Sequence, residues 1–147
     1  MRGVESLLKV FEKHAMDCTV QERSCVAAAQ LARRSEDVKK VFIEGHLIQQ
    51  IVRIMGLHRA SGSLQHLATA LLFCLLDASS FEEMVSSGCL EGVCVAMEAH
   101  PSLAALQTQA LQLLGALATT AEVRQRLAKA AGLERALQAM QVRAQSS

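Results

Sequence analysis

Apolar residues recur at helical spacing along almost the whole chain. Over residues 106–118, Ala110, Leu113, Leu114, Leu117 and Ala118 fall at i, i+3, i+4, i+7 and i+8, the stripe of a helix that turns one face to a core. Over residues 3–15, Val4, Leu7, Leu8 and Phe11 form a similar stripe. Moving that set forward by 43 residues reaches Leu47, Gln50, Ile51 and Ile54, then Leu90, Val93, Cys94 and Met97, then Leu133, Ala136, Leu137 and Met140. Only Gln50 among these is polar. Gln21, Gln65 and Gln107 each stand ten residues before a leucine, at Leu31, Leu75 and Leu117. One helical unit repeated at this interval predicts a stack of helices.

Each unit divides into three helices. The first is short, at residues 36–44 with Val38 and Phe42 inward, and its counterparts carry Phe81 with Val85 and Val123 with Leu127. The second carries the stripe described above. The third is longer, over residues 19–33, 63–77 and 103–118. Start signals accompany them: Ser35 before Glu36 and Asp37, Ser80 three before Glu83, and Thr119 three before Glu122 predict capped N-termini. Gly62-Ser63 and Pro101 are expected to open the last two third helices. Gly3, Gly45, Gly88 and Gly132 precede the second helices, where a left-handed glycine turns the chain.

Composition agrees with helix. The chain has 147 residues, one domain's length, and is 51% hydrophobic with four Phe, no Trp, no Tyr and one Pro. Net charge is +1, which gives no field to recruit nucleic acid or an anionic membrane. Residues 60–123 nevertheless hold no Lys or Arg and six acids: Asp77, Glu82, Glu83, Glu91, Glu98 and Glu122. This acidic waist lies between two basic ends. The Arg33-Arg34 and Lys39-Lys40 pairs lack interleaved aromatics and read as a solvated turn rather than a nucleic-acid site.

Five cysteines without a C-x-x-C motif do not make a disulfide framework. Cys25, Cys74 and Cys94 fall where the repeat needs small apolar residues, which points to a reducing, cytoplasmic setting. The longest apolar run, from Leu67 to Leu76, is interrupted by Thr69 and too short to span a bilayer. Phosphate-binding glycine loops, nucleophile elbows and zinc-binding His-Glu-x-x-His are absent from the sequence, so neither an enzyme nor a cofactor is expected. His14 and Cys18 have ligand spacing on a helix, but two further ligands at suitable spacing are missing, and no metal site is expected.

The unit Ser-x-x-Phe-Glu-Glu-Met-Val-x-x-Gly, then Leu90 to Met97, then Leu-Gln-x-Gln-Ala-Leu-x-x-Leu-x-x-Leu-Ala resembles an armadillo repeat. The resemblance covers nearly the whole chain at 42–44 residues per unit. A short first helix closed by Gly and free of proline favours armadillo over the related HEAT repeats. Ala-Met-Glu-Ala-His-Pro followed by Leu106-Gln107 looks like the degenerate armadillo runs of large multidomain cytosolic proteins, such as leucine-rich-repeat kinases. It implies an all-α, right-handed superhelical solenoid of about nine helices, two full repeats with partial repeats at both ends. The domain then covers residues 1–143, with a short tail at 144–147.

The resemblance also implies that third helices line a concave binding surface. Armadillo proteins that clamp extended peptides place Asn there, where the matching rungs are Gln30, Cys74 and Ala116, and Trp where this chain has Val26, Ala70 and Gln112. Cys and Ala cannot bind both N–H and C=O of a peptide, so that clamp is not expected. The candidate partner-binding residues are Arg23, Gln30, Leu67, Cys74, Gln109 and Gln112, an apolar centre flanked by Gln and Arg that suits a helix or hydrophobic segment. The expected function is a non-enzymatic protein-interaction scaffold whose partner is a protein. The alternative is a structural or oligomerising segment of a longer array, for example an accessory domain of a multidomain kinase-like protein. In that reading the outer surfaces of residues 3–15 and 132–143 expose core and self-associate.

Overall fold

A computed structural model of the chain describes residues 2–132. Those residues form nine α-helices and no strand: α1 Arg2–Lys13, α2 Cys18–Arg34, α3 Glu36–Glu44, α4 Leu47–Leu57, α5 Gly62–Leu75, α6 Phe81–Ser86, α7 Cys89–Ala99, α8 Ala104–Leu117 and α9 Ala121–Leu127, followed by a π-helical turn Ala128–Gly132. The fourth copy of the stripe, Leu133 to Met140, and the expected helix at 132–143 lie outside the described residues.

The helices pack by type. Among the second helices α1 meets α4 and α4 meets α7; among the third helices α2 lies on α5 and α5 on α8. Each second helix also packs on the third helix that follows it: α1 on α2, α4 on α5 and α7 on α8. The 43-residue stripe explains this layout, because every second helix buries the same face. Phe11, Leu47, Ile51, Ile54, Leu90 and Val93 are fully buried, as are Leu64, Leu71, Leu72, Leu106, Leu113 and Leu117 from the third helices. Phe42 and Met84 enter the same core from the short helices. Gln50, the polar exception, is half-buried.

Caps follow local chemistry with several shifts. The Asp17, Ser35 and Ser61 side chains accept from the backbone N–H of Val20, Val38 and Leu64, which satisfies N-terminal donors of α2, α3 and α5. At α9 the cap is Thr120, bonded to Val123 N–H, and not Thr119. Ser80 makes no capping bond to α6. Its buried hydroxyl donates to the Leu75 carbonyl at 2.7 Å and accepts from Asp77 N–H at 2.9 Å, which closes the end of α5. Pro101 does not open α8 either, for the chain turns through it and the helix starts at Ala104 behind Leu103.

The glycine turns also differ from one another. Gly88 is left-handed at φ +87°, as expected. Gly45 has φ −80°, and the left-handed residue is His46 at φ 61°. Glycine at 45 serves a close approach, since a Cβ there would stand 2.7 Å from Leu8 Cδ1 and 3.1 Å from the Val41 carbonyl oxygen. The expectation of exposed core on the first helix is not met. Every fully exposed residue of α1 other than Gly3 is polar, namely Arg2, Glu5, Ser6, Lys9, Glu12 and Lys13, so its outer face is solvated.

Candidate functional site

The landmark glutamines are latches. Gln65 is buried, and its Nε2 donates to the carbonyls of Met55 at 3.0 Å and His58 at 2.9 Å. Gln107 does the same to Met97 and His100, both at 3.0 Å. Gln21 reaches His14 at 2.7 Å and Val10 at 3.4 Å. Each side chain thus adds a second donor to a histidine carbonyl that already accepts a backbone N–H, bonds a carbonyl in the last turn of the second helix, and fixes that end to the third helix that follows. A histidine stands seven residues before each glutamine, at 14, 58 and 100. Two of these rings join successive units: His58 Nε2 lies 2.6 Å from the Ala15 carbonyl, and His100 Nε2 lies 2.8 Å from the Arg59 carbonyl. His-x6-Gln, repeated three times, was the sequence signal for this lattice. The third helices are therefore held rigidly, and their outward side chains stand in a defined array.

One position after the glutamine, Glu22 ties α2 to the next third helix. Its Oε1 accepts from Ser63 Oγ at 2.8 Å, Ser61 Oγ at 3.2 Å and Cys18 Sγ at 3.5 Å. These bonds, led by Ser63, hold its carboxyl below the usual carboxylate range against the opposing effect of burial. Glu22 marks the edge of α2 that faces the following unit, a role that its sequence position alone does not announce.

On the open side of this junction lies a shallow depression of about 510 Å3 lined by Glu22, Arg23, Val26, Ala27, Gln30 and Leu67. Arg23, Val26 and Gln30 are exposed and Leu67 is half-buried. Three of the six candidate residues, Arg23, Gln30 and Leu67, therefore meet at one place, from two helices. The other three do not join them. Cys74 is half-buried towards the end of α5, while Gln109 and Gln112 pair with each other on α8 at 3.3 Å. Val26 and Ala27, absent from the candidate set, complete the apolar floor. Val26 had a signal only through the resemblance, which aligns it with a Trp of peptide-clamping repeats, and Ala27 had none.

Other hollows differ in kind. One of about 220 Å3 lies between α4 and α7 over Gly56, Gly92 and Val95. Another, of about 300 Å3, is charged and holds Lys39 and Lys40 beside Asp77 and Ser79. Lys39 Nζ is 3.0 Å from Asp77 Oδ2. Burial works to raise the Asp77 pKa, but bonds from Ser79, Lys39 and Ser80 together with the Lys39 charge overcome it and hold the carboxyl at about 2. The expected solvated turn is thus partly a buried tie between α3 and the loop after α5. Cys25 and Cys89 are buried, and burial pushes each thiol up to about 12, so both remain protonated at neutral pH. Cys94 is also buried, whereas Cys74 is only half so. Among the described residues no group of three His, Cys, Asp or Glu side chains is placed to hold a metal ion, and no helix is long and apolar enough to cross a membrane. No protein-family model matches the chain, and neither does any curated protein or solved structure.

Proposed function

We propose that this protein is a non-enzymatic interaction module that holds a protein segment in the depression between α2 and α5. The observation that carries this reading is the convergence of Arg23, Val26, Gln30 and Leu67 on an open surface braced from below by the glutamine latches and the Glu22 clamp. The occupant is a short amphipathic segment. Its apolar side chain covers Val26, Ala27 and Leu67, its acidic group meets Arg23, and Gln30 bonds its backbone or a polar side chain. The depression is too open for a small molecule, which needs enclosure on most sides. The type-by-type packing of the helices and the 43-residue stripe support an armadillo-like solenoid as the scaffold, and the protonated buried thiols suit a reducing, cytoplasmic compartment.

Selection of peptides from a random displayed library tests the reading. Peptides captured by the wild-type protein are expected to be amphipathic and acidic. Their binding should fall about tenfold or more on Val26→Glu or Arg23→Glu, with helical circular dichroism unchanged. Gln112→Glu, away from the depression, should leave binding intact. Capture of peptides indifferent to both depression variants would overturn the assignment.

A further inference from the structure

We infer that the hollow between α4 and α7 binds a small amphiphilic carboxylate, an apolar chain with one anionic end. It is separate from the α2–α5 depression, and both helices that wall it are described throughout. Its apolar walls are Val52 and Met55 from α4 and Val95, Ala96 and Ala99 from α7. The 43-residue repeat shows what sets this junction apart. One unit earlier, between α1 and α4, the positions of Val52, Met55, Gly56 and Ala96 are Lys9, Glu12, Lys13 and Arg53, all exposed. The same seam is thus charged and solvated at one junction and an apolar hollow at the next.

Two glycines keep the hollow open. Gly56 in the last turn of α4 and Gly92 in the first turn of α7 both line it. Glycine inside a helix costs stability, and no close packing here demands it. A Cβ at Gly56 would have nothing within 4 Å, and one at Gly92 would meet only Val52 Cγ1, at 4.0 Å. A larger side chain at either place would occupy the space that the hollow offers to a ligand.

Charge gives the occupant its direction. Arg59, just beyond the end of α4, is exposed at the rim and has no ion pair among the described residues. Glu91, at the other end, is already held by Arg126 at 2.7 Å. Carbonyls at the ends of α4 and α7 would oppose an anion beside Arg59, but they are engaged. Gln65 donates to Met55 and His58, and Gln107 donates to Met97 and His100. His100 Nε2, 2.8 Å from the Arg59 carbonyl, fixes the backbone that carries the guanidinium. From Glu91 to Ala99 the wall runs about 12 Å along α7, which suits a linear chain with its carboxylate on Arg59 and its tail towards Gly92. At about 220 Å3 the hollow is below the roughly 300 Å3 where pockets for drug-sized ligands begin, so the ligand is small.

Calorimetric titration of the full chain with sodium octanoate tests the site. Saturable binding is expected, with nuclear magnetic resonance shifts at Val52, Gly56, Gly92 and Val95. Hexanoate should bind about tenfold more weakly, since each buried methylene contributes about fourfold. Octylammonium, of equal length and opposite charge, should bind worse than octanoate by about tenfold or more. Arg59→Gln should weaken octanoate about tenfold and leave 1-octanol unaffected. Gly92→Leu should remove binding of both while helical circular dichroism stays unchanged. Octanoate binding that is absent, that is indifferent to both variants, or that octylammonium matches would overturn the inference. The hollow would then be left to an apolar side chain of a partner protein.

Discussion

The edges of α2 and α8 that face the next unit occupy the same register and meet opposite conditions. The α2 edge is closed by α5. Its residues are Glu22, Cys25 and Ala29, one clamp and two small buried groups. The α8 edge presents Thr108, Leu111 and Gly115 to solvent. On α2 the covered positions hold small side chains that let the next helix lie close, whereas the edge of α5 that α8 covers carries His66, Thr69 and Phe73. Closure of the α2 edge permits a charge only at the rim, where two serine hydroxyls satisfy it. The α8 edge carries no charged clamp, and it places Leu111, 61% exposed, at the register where Cys25 of α2 and Thr69 of α5 are buried. Equal register therefore does not mean equal role, and the role follows from what covers the helix.

Matched substitutions separate the two edges most strongly. Cys25→Glu puts a carboxylate at a fully buried position with no partner, at a cost of several kcal/mol, which is a large share of the 5–15 kcal/mol that holds a domain together. Collapse of the thermal transition is expected. Leu111→Glu, at the equivalent place on α8, should change monomer stability by no more than about 0.5 kcal/mol. Equal losses in the two variants would show that the edge of α8 is covered after all.

The latches sharpen the contrast at intermediate size. Gln65→Ala removes two hydrogen bonds at a buried site, leaving the His58 carbonyl with only its Ser61 N–H donor, and should cost about 2 kcal/mol, or about 4–8 °C in thermal midpoint. Gln107→Ala removes the same two bonds from a half-buried site that water reaches, so about half that loss is expected. Calorimetry of the pair reads the difference directly, and a larger loss at Gln107 would contradict the open-edge description.

A pH-dependent effect concerns the tie beside α5. Asp77 has a depressed pKa, so its stabilisation is present in full above the ordinary carboxylate pKa of about 4 and drains away as pH falls towards 2. The shift is discounted for a carboxylate about one-third exposed, which leaves about 1 kcal/mol. Asp77→Asn should therefore lower the midpoint by a few degrees at pH 6 and match the wild type near pH 2. The Arg126–Glu91 pair at 2.7 Å, towards the open end, is more exposed and should contribute less. A midpoint difference for Asp77→Asn that persists at pH 2 would place its origin elsewhere than in the carboxylate.

Much of this molecule was legible as pattern. Periodicity, with the cap and glycine signals, placed the helices of the described residues to within a few residues, because an apolar stripe has only one way to be buried at 3.6 residues per turn. The second-helix positions Phe11, Ile51 and Val93 are buried as their 43-residue spacing requires. Small errors arose where two local solutions compete. Thr119 and Thr120 both offer a capping hydroxyl, and Ser80 donates to the Leu75 carbonyl and accepts from Asp77 N–H instead of from the N–H groups of α6. Gly45 was recognised as a turn residue for the wrong reason, since its neighbour Leu8 comes from 37 residues away.

The candidate surface was only half legible. Sequence by itself determined the helices, their repeat and the apolar stripe that each helix buries, all of which depend on local geometry and spacing. Only the tertiary structure decided that Gln21, Gln65 and Gln107 are latches, that Glu22 bridges two units, and that Gln109 pairs with Gln112 away from the α2–α5 depression. It alone distinguished a covered edge from an open one. The physical reason is that periodicity states which way a side chain points along its own helix, whereas burial and hydrogen bonding depend on the neighbour it meets across space.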